Sequence, residues 1–364
     1  MQIPTRLVER TLSLLRSPLL APVGDTAAID DLLGQFKPEW ALTQVKARIV
    51  AIRQQTPVAR TLVLRPNGLW RGHAAGQHVA VTVEIDGRRL QRTYTLSSIA
   101  GDAGTLEITV KRQAGGKVSA WLNTRAQVGD VLGLSGAAGQ FTLPAPLPSM
   151  ILMVSAGSGI TPVMAMLRAL DQQSYAGDVF FLHQCRSPED LIFGVELQQI
   201  AARLPGLKLH VHYSSESGRL DADLLKAIVP DYAARQAFLC GPQGFMDTVQ
   251  GFYREQRLDG QLSLESFSGP ILRAPAEGQA AVEVRCAKSE QVFTAAAAQP
   301  LLMEAEAAGL KPKHGCRIGI CQSCKCRKRE GTVQNLMTGE ISSEPNEMIQ
   351  LCVSVAKSDV TLDL

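Results

Sequence analysis

Four cysteines constrain this chain more than any other feature. Cys316, Cys321 and Cys324 share one loop with the spacing C-x4-C-x2-C, and Cys352 lies far along the chain. The pattern fits a cage for two irons and two sulfides, which needs four thiolates converging on one small volume. One loop supplies three, and a distant residue closes the cage. Gly315 and Gly319 suit such a loop, because glycine permits the backbone conformations that turn N–H groups inward toward sulfur. The competing metal reading is a zinc-bearing regulatory or binding module. Zinc ribbons usually show two C-x2-C pairs, whereas only Cys321 and Cys324 form one here. Cys326, two residues past the third ligand, has no role in this scheme.

A chain of 364 residues has room for two or three domains. Its eight cysteines are too few for a disulfide scaffold, and their clustering argues for metal use in a reducing, cytoplasmic compartment. A net charge of +3 gives no reason to expect a nucleic-acid partner. No apolar run reaches the roughly 18 residues that a spanning helix needs. The start is interrupted by Arg6, Glu9, Arg10 and Arg16, and so lacks the apolar core of a signal peptide.

In order, residues 1–44 read as a helical extension, with Leu7, Val8, Leu12, Leu14, Leu15 and Leu19 opposite arginines. Such a helix either packs on the next domain or touches a membrane surface through residues 1–20, placing the protein peripherally at the inner membrane face. Residues 45–147 carry short strands at 45–53, 59–64, 77–85, 88–97, 105–112 and 131–135, a two-residue hairpin signal at Asp86-Gly87, and a helix at 118–123. This spacing predicts a small antiparallel barrel. Residues 148–268 alternate strands (150–154, 179–184, 207–213, 236–240, 262–267) with helices (163–170, 188–204, 221–228, 243–255), which predicts a parallel α/β sheet. Residues 269–279 are a linker. Residues 280–364 hold a hairpin (281–287 and 291–294), a helix at 300–308, the cysteine loop and a closing strand at 359–364.

Four further stretches bear on chemistry. Arg92-Thr93-Tyr94-Thr95 lies on a strand, so alternation puts Arg92 and Tyr94 on one face and Thr93 and Thr95 on the other. It offers a cation, an aromatic wall and a hydroxyl donor, although an isolated R-x-Y-T also suits an ordinary barrel strand. Val110 to Ser119 places Gly115-Gly116-Lys117-Val118-Ser119 just before a helix, where backbone N–H groups can cradle a pyrophosphate and Ser119 can donate to it. The bland alternative is a glycine turn at a helix start. Ser155 to Pro162, with Gly157, Gly159, Ile160 and Thr161, follows a buried strand and opens a helix that Thr161 can cap. It suits a dinucleotide or an ordinary strand–helix turn. Cys240-Gly241-Pro242 ends another parallel strand, the place where ligands of such sheets sit, and Cys240 also reads as a buried small residue.

Together these motifs resemble the ferredoxin–NADP reductase superfamily, more narrowly the oxygenase and desaturase reductases with a C-terminal plant-type ferredoxin domain. The resemblance covers residues from about 45 onward. It implies a flavin-binding antiparallel barrel, a parallel nucleotide-binding α/β domain and a β-grasp ferredoxin domain. It implies that Arg92 meets the flavin phosphate, Tyr94 its ring and Thr95 its N5. Val110, Gly116, Lys117, Val118 and Ser119 match the flavin pyrophosphate segment, and Gly157, Gly159, Ile160 and Thr161 the nicotinamide-dinucleotide loop. Cys240, Gly241 and Pro242 match the C-G-P that frames the nicotinamide, and Glu265 and Phe267 the closing E-x-F. Cys316, Cys321, Cys324 and Cys352 match the [2Fe-2S] ligands. The pyrophosphate segment favours FAD over FMN. Arg186 or Arg219 suits the 2′-phosphate of NADPH, with NADH the alternative, given Glu189 and Glu216 nearby. The expected function is electron transfer from NAD(P)H through flavin and cluster to an external acceptor. The extension, with Pro38-Glu39-Trp40, resembles those of reductases serving membrane fatty-acyl desaturases. The alternative acceptor is a soluble oxygenase of phenylacetyl-CoA or aromatic-ring type. Arg317, Lys325, Arg327, Lys328 and Arg329 read as a solvated basic turn, or as a docking patch for an acidic partner.

Overall fold

The computed structural model describes residues 26–99, 104–267, 281–296, 299–314, 319, 323–337 and 339–364. The chain divides into two units, Met1–Glu265 and Ser266–Leu364. The helix expected in residues 1–20 and the linker expected at 269–279 lie outside the described residues. Within the extension expected to be helical, the structure places helix α1 at Thr26–Phe36, beyond the Pro22 and Gly24 expected to break it. Its buried Asp30 accepts hydrogen bonds from Leu42 N, Thr43 N, Thr43 Oγ1 and Gln44 N, latching the extension to the strand that follows.

Six strands follow: β1 (Val45–Thr56), β2 (Ala59–Pro66), β3 (His78–Ile85), β4 (Arg88–Thr95), β5 (Leu106–Lys111) and β6 (Val131–Leu134). They form one antiparallel sheet in the order β4-β3-β6-β1-β2-β5. A bridge between Leu96 and Ile108 joins its two ends. Alternation drives the closure. Ile49, Leu62, Leu64, Val79, Val81, Leu106 and Ile108 fill one interior, and every second side chain of a strand faces the same way. Asp86 and Gly87 both take positive φ, 52° and 70°, as a two-residue hairpin turn requires. Helix α2 (Lys117–Thr124) plugs one side through Val118 and Leu122.

The α/β half holds β7 (Met150–Ala156), α3 (Ile160–Gln172), β8 (Asp178–Cys185), α4 (Gly194–Arg203), β9 (Leu207–Tyr213), α5 (Ala222–Ile228), β10 (Gln236–Gly241), α6 (Gln243–Glu255) and β11 (Leu262–Ser266). The sheet order is β11-β10-β7-β8-β9. The β10–β7, β7–β8 and β8–β9 pairs are parallel, as short crossover helices dictate. The helix expected over 188–204 is interrupted. Pro188–Asp190 is a single 3₁₀ turn, Phe193 takes a left-handed φ of 62°, and α4 starts at Gly194. Ile192 and Phe193 are both buried, so the chain turns inward where a continuous helix would have run on. Thr161 also differs from its expected capping role. It sits in the second position of α3, and its hydroxyl donates to Ser158 O at 3.0 Å.

In the second unit, β12 (Val282–Cys286), β13 (Val292–Ala295), β14 (Lys325–Glu330), β17 (Glu347–Gln350) and β19 (Val360–Leu362) make a mixed sheet in the order β13-β12-β19-β14-β17. Beside it lies a three-stranded sheet of β15 (Val333–Asn335), β16 (Ile341–Ser342) and β18 (Ser354–Ala356). Helix α7 (Leu301–Ala307) buries Leu301, Leu302 and Ala305 in this unit's core. The basic run expected as a turn is strand β14.

Candidate active site

In the first unit, the chemistry gathers where barrel and α/β sheet meet. The β3–β4 ladder pairs His78 with Thr95, Val79 with Tyr94, Ala80 with Thr93 and Val81 with Arg92. Tyr94 packs against the barrel core, and burial pushes its phenol up, with Arg92 opposing. Arg92 is exposed and donates to Gln91 O at 2.6 Å. On the other face, Thr93 Oγ1 and Thr95 Oγ1 are buried with no hydrogen-bond partner. An unmet buried polar atom costs about 1–3 kcal/mol, so two on one surface argue for a bound group that satisfies them.

His78 carries the boundary. Its Nδ1 lies 3.2 Å from Glu265 Oε1, and both side chains are buried. Glu265 Oε2 has no partner. Burial pushes the Glu265 carboxyl up, and His78 pulls it down. Cys240 is wholly buried, and burial pushes its thiol well up, with Glu265 adding to the effect. Cys240 is therefore a neutral thiol at working pH. Phe267 lies half-buried just past β11. Nothing local in the sequence singles out His78, because its partner stands 187 residues away.

The loop after β7 is fixed by contact with β10. A Cβ on Gly159 would stand 2.2 Å from Cys240 O, so no other residue fits there. Gly157 takes a φ of 54°. Ile160 and Thr161 are buried at the start of α3, and Pro242 precedes α6 at the end of β10. At α2, Ser119 Oγ accepts from Gln113 N at 3.1 Å and donates to Gly116 O at 3.3 Å. Its hydroxyl therefore closes the turn before Lys117. Val110 is buried on β5, and its carbonyl accepts from Asn123 Nδ2 at 2.9 Å.

Arg186 and Arg219 are exposed past the ends of β8 and β9. Ser215 N donates to Arg186 O at 3.0 Å, tying those ends together. A second residue missed by sequence reasoning is Arg168. It donates to both oxygens of Glu196 at 2.7 Å and to Glu107 Oε2 at 3.1 Å. It also reaches Ser97 O, two residues past Thr95, which fastens the end of β4 to α3. A cavity of about 930 Å³ is lined by residues including Arg53, Gln55, Ser98, Arg168, Phe193 and Tyr213, and by none of the residues singled out from the sequence.

In the second unit, Cys324 and Cys352 are buried with their sulfurs 3.2 Å apart. Gly319 N donates to Cys352 Sγ at 3.2 Å, and Gln350 Nε2 donates to Gly319 O at 2.6 Å. Gly319 has a φ of 80°, and a Cβ there would stand 2.9 Å from Val353 Cγ1. Two converging sulfurs with an inward N–H fit a thiolate cage. Cys316 and Cys321 lie outside the described residues. Cys326 is buried on β14 and packs in this unit's core, where burial pushes its thiol up to about 11.

Comparison with known proteins agrees with this division. Residues 62–143 match an oxidoreductase FAD-binding domain, 153–251 an oxidoreductase NAD-binding domain and 284–357 a 2Fe-2S iron–sulfur cluster binding domain. An NADPH oxidoreductase of Mycobacterium tuberculosis is 36% identical over 92% of this chain and 88% of its own length. The chain belongs to the ferredoxin–NADP reductase superfamily, in the branch with a C-terminal [2Fe-2S] domain. Within that superfamily, the glycine betaine monooxygenase reductase subunit of Pseudomonas aeruginosa is 32% identical over 89% of this chain and 96% of its own length. The solved structure of phthalate dioxygenase reductase shares the fold, with a TM-score of 0.59 and 24% identity over 88% of this chain and 98% of that one. As a superfamily member the chain is an NAD(P)H-dependent oxidoreductase with FAD, nicotinamide-nucleotide and [2Fe-2S] sites. The zinc-module reading falls with the match of residues 284–357. No helix among the described residues is long and apolar enough to cross a membrane.

Proposed function

We propose that this chain is the reductase component of an oxygenase and that Thr95, Cys240 and Glu265 frame its hydride-transfer site. A flavin held there would supply the conversion between a two-electron hydride donor and a one-electron cluster. The observation that carries the reading is the chain of contacts across the barrel–sheet boundary. Thr95, with its unmet hydroxyl, pairs with His78; His78 touches Glu265; Glu265 lies by Cys240.

In this reading the barrel occupies residues 45–147, the nucleotide domain 148–268 and the cluster domain 280–364. Arg92, Tyr94, Val110, Gly116, Lys117, Val118 and Ser119 hold the flavin, Ser119 by shaping its turn. Gly157, Gly159, Ile160, Thr161, Gly241 and Pro242 shape the nicotinamide crevice. The buried Cys240 thiol would line the nicotinamide crevice without adding charge. Burial raises the Glu265 carboxyl and His78 opposes that rise, so the pair can hold or move a proton at Glu265 Oε1 within the boundary. Cys316, Cys321, Cys324 and Cys352 hold the cluster. Arg186 and Arg219 favour NADPH through its 2′-phosphate, and the NADPH relative supports this. Arg186→Ala is expected to raise KM for NADPH about tenfold, as loss of a charge-assisted bond does, and to leave KM for NADH unchanged.

The monooxygenase reductase relative supports an oxygenase as acceptor, in preference to the membrane desaturase first expected from the extension. One observation keeps surface contact open. Leu32, Phe36 and Trp40 are 55%, 77% and 48% exposed. Deleting residues 1–40 should abolish sedimentation with anionic vesicles if that reading holds and leave it unchanged if it does not. The function itself is tested by reconstituting NADPH oxidation with a candidate oxygenase. Substrate turnover must depend on this chain and vanish in Cys352→Ser, and turnover that survives that change refutes the reading.

A further inference from the structure

Alternation along β14 sorts the basic run beside the cage. Lys325, Arg327 and Arg329 are exposed, whereas Cys326 and Lys328 are buried. Lys328 is held inside by the carbonyls of Gly331, Ser342 and Glu344 at 2.8, 3.0 and 2.8 Å. Turning the strand over would strand three acceptors and expose Cys326, so the outward face is fixed. The pairing with β17 sets Met348, 53% exposed, opposite Arg327, and Gln350 opposite Lys325. On β12 Arg285 pairs with Glu283 at 3.0 Å, and on β14 itself Arg329 pairs with Asp363. Those charges cancel. Lys325 and Arg327 make no side-chain hydrogen bond or ion pair among the described residues. Lys325 directly follows Cys324, whose sulfur meets that of Cys352.

Positive charge without an ion-pair partner, only partly offset by Asp363, therefore lies next to the cage, around an exposed methionine on an edge strand. Transient redox encounters use small interfaces, and charge of one sign there steers partners of the other. Met348 supplies a soft apolar contact at the centre. We propose that the outward face of β14 and β17 is the docking surface for the electron acceptor, and that it fits an acidic protein surface. This rests on the reading of the cluster as the electron exit.

The test uses the holoenzyme and two haem proteins of opposite charge, the acidic haem domain of cytochrome b5 and basic cytochrome c. In each case one NAD(P)H reduces two ferric haems to ferrous and releases one proton. The acidic acceptor should be reduced about tenfold faster at low salt than at high salt, and cytochrome c should show the opposite slope. The double variant Lys325→Glu/Arg327→Glu should lose about tenfold on cytochrome b5 and gain on cytochrome c. Should reversed charges disturb the cage, seen as loss of cluster absorption, Lys325→Gln/Arg327→Gln should give half the effect on a logarithmic scale. Anaerobic flavin reduction by NAD(P)H should be unchanged in both. Salt-independent rates, or charge variants without effect while the cluster is reduced normally, overturn the docking surface. An unmodified protein whose cluster NAD(P)H never reduces overturns instead the reductase reading beneath it.

Discussion

Among the described residues two cations are buried whole, one in each unit, and they are satisfied differently. Arg235 of the first unit donates to the carboxylates of Asp231 and Asp178, and to Ile151 O. Those carboxylates are partly exposed, at 41% and 34%. Lys328 of the second unit donates to three backbone carbonyls drawn from the loops around β15 and β16, and its one carboxylate, Glu347, stands farther off at 3.5 Å. The first arrangement decorates a sheet that already holds itself together, with parallel strands of five to eight residues. The second gathers a region whose strands run from two to six residues. The nucleotide half is built by burial of long elements. The cluster unit relies on point fastenings: the thiolate cage at one place and the Lys328 clasp at another.

The largest break in that contrast is at the cage. Cys324→Ser is expected to abolish cluster absorption, to reduce electron delivery to protein acceptors to background and to lower the melting temperature of the second unit alone, since metal binding is part of its folding free energy. Flavin reduction by NADPH in stopped flow should be untouched.

Next in size is the boundary site. Glu265→Gln should slow flavin reduction about 100-fold, as loss of a positioned acid–base group does. His78→Leu should move the pH limb of that step. Burial raises Glu265 and His78 lowers it, so removing His78 makes Glu265 keep its proton to higher pH, and the limb shifts upward. A slower rate with an unmoved limb would make His78 a packing residue.

The cations themselves come third. Lys328→Met leaves three buried carbonyls unmet and should cost about 3 kcal/mol in the second unit. Arg235→Met leaves carboxylates that water can reach and should cost about 2 kcal/mol or less in the first. Equal costs, measured by denaturant unfolding, would erase the distinction between the units.

The smallest effect concerns pH. His183 is wholly buried, with its Nδ1 2.8 Å from Ser155 Oγ, and burial pushes it down to about 3. Its folded value is depressed, so its contribution is full above about 6.5 and is lost as pH falls toward about 3. The first unit's melting temperature should fall across that window, and His183→Asn should flatten part of the fall.

The same contrast decides what could be read from the sequence. In the first unit, period-two alternation, Asp86-Gly87 and the strand–helix rhythm placed every strand of the barrel and the α/β sheet. The break at Phe193 was hidden, because an apolar Leu191-Ile192-Phe193 run fits a helix face as well as an inward turn. In the second unit the cysteine spacing was plain, but β14 to β18 were not. Strands this short carry too few alternations, and five charged or polar residues at 325–330 look like a surface turn until Lys328 is seen inside. At the site, Thr95, Cys240 and Glu265 carried motifs, whereas His78 and Arg168 act only through partners brought in by the fold.

The account stands on one path, from nicotinamide through flavin to the thiolate cage. An anaerobic titration of the purified protein with NADPH, followed by its visible spectrum, tests it most directly. Bleaching of the flavin bands together with loss of cluster absorption, complete near 1.5 equivalents by electron count (two for flavin, one for cluster, two per NADPH, about three electrons in all), is the predicted result. A protein without flavin and iron–sulfur absorption, or one whose flavin bleaches while its cluster stays oxidised, would contradict the account.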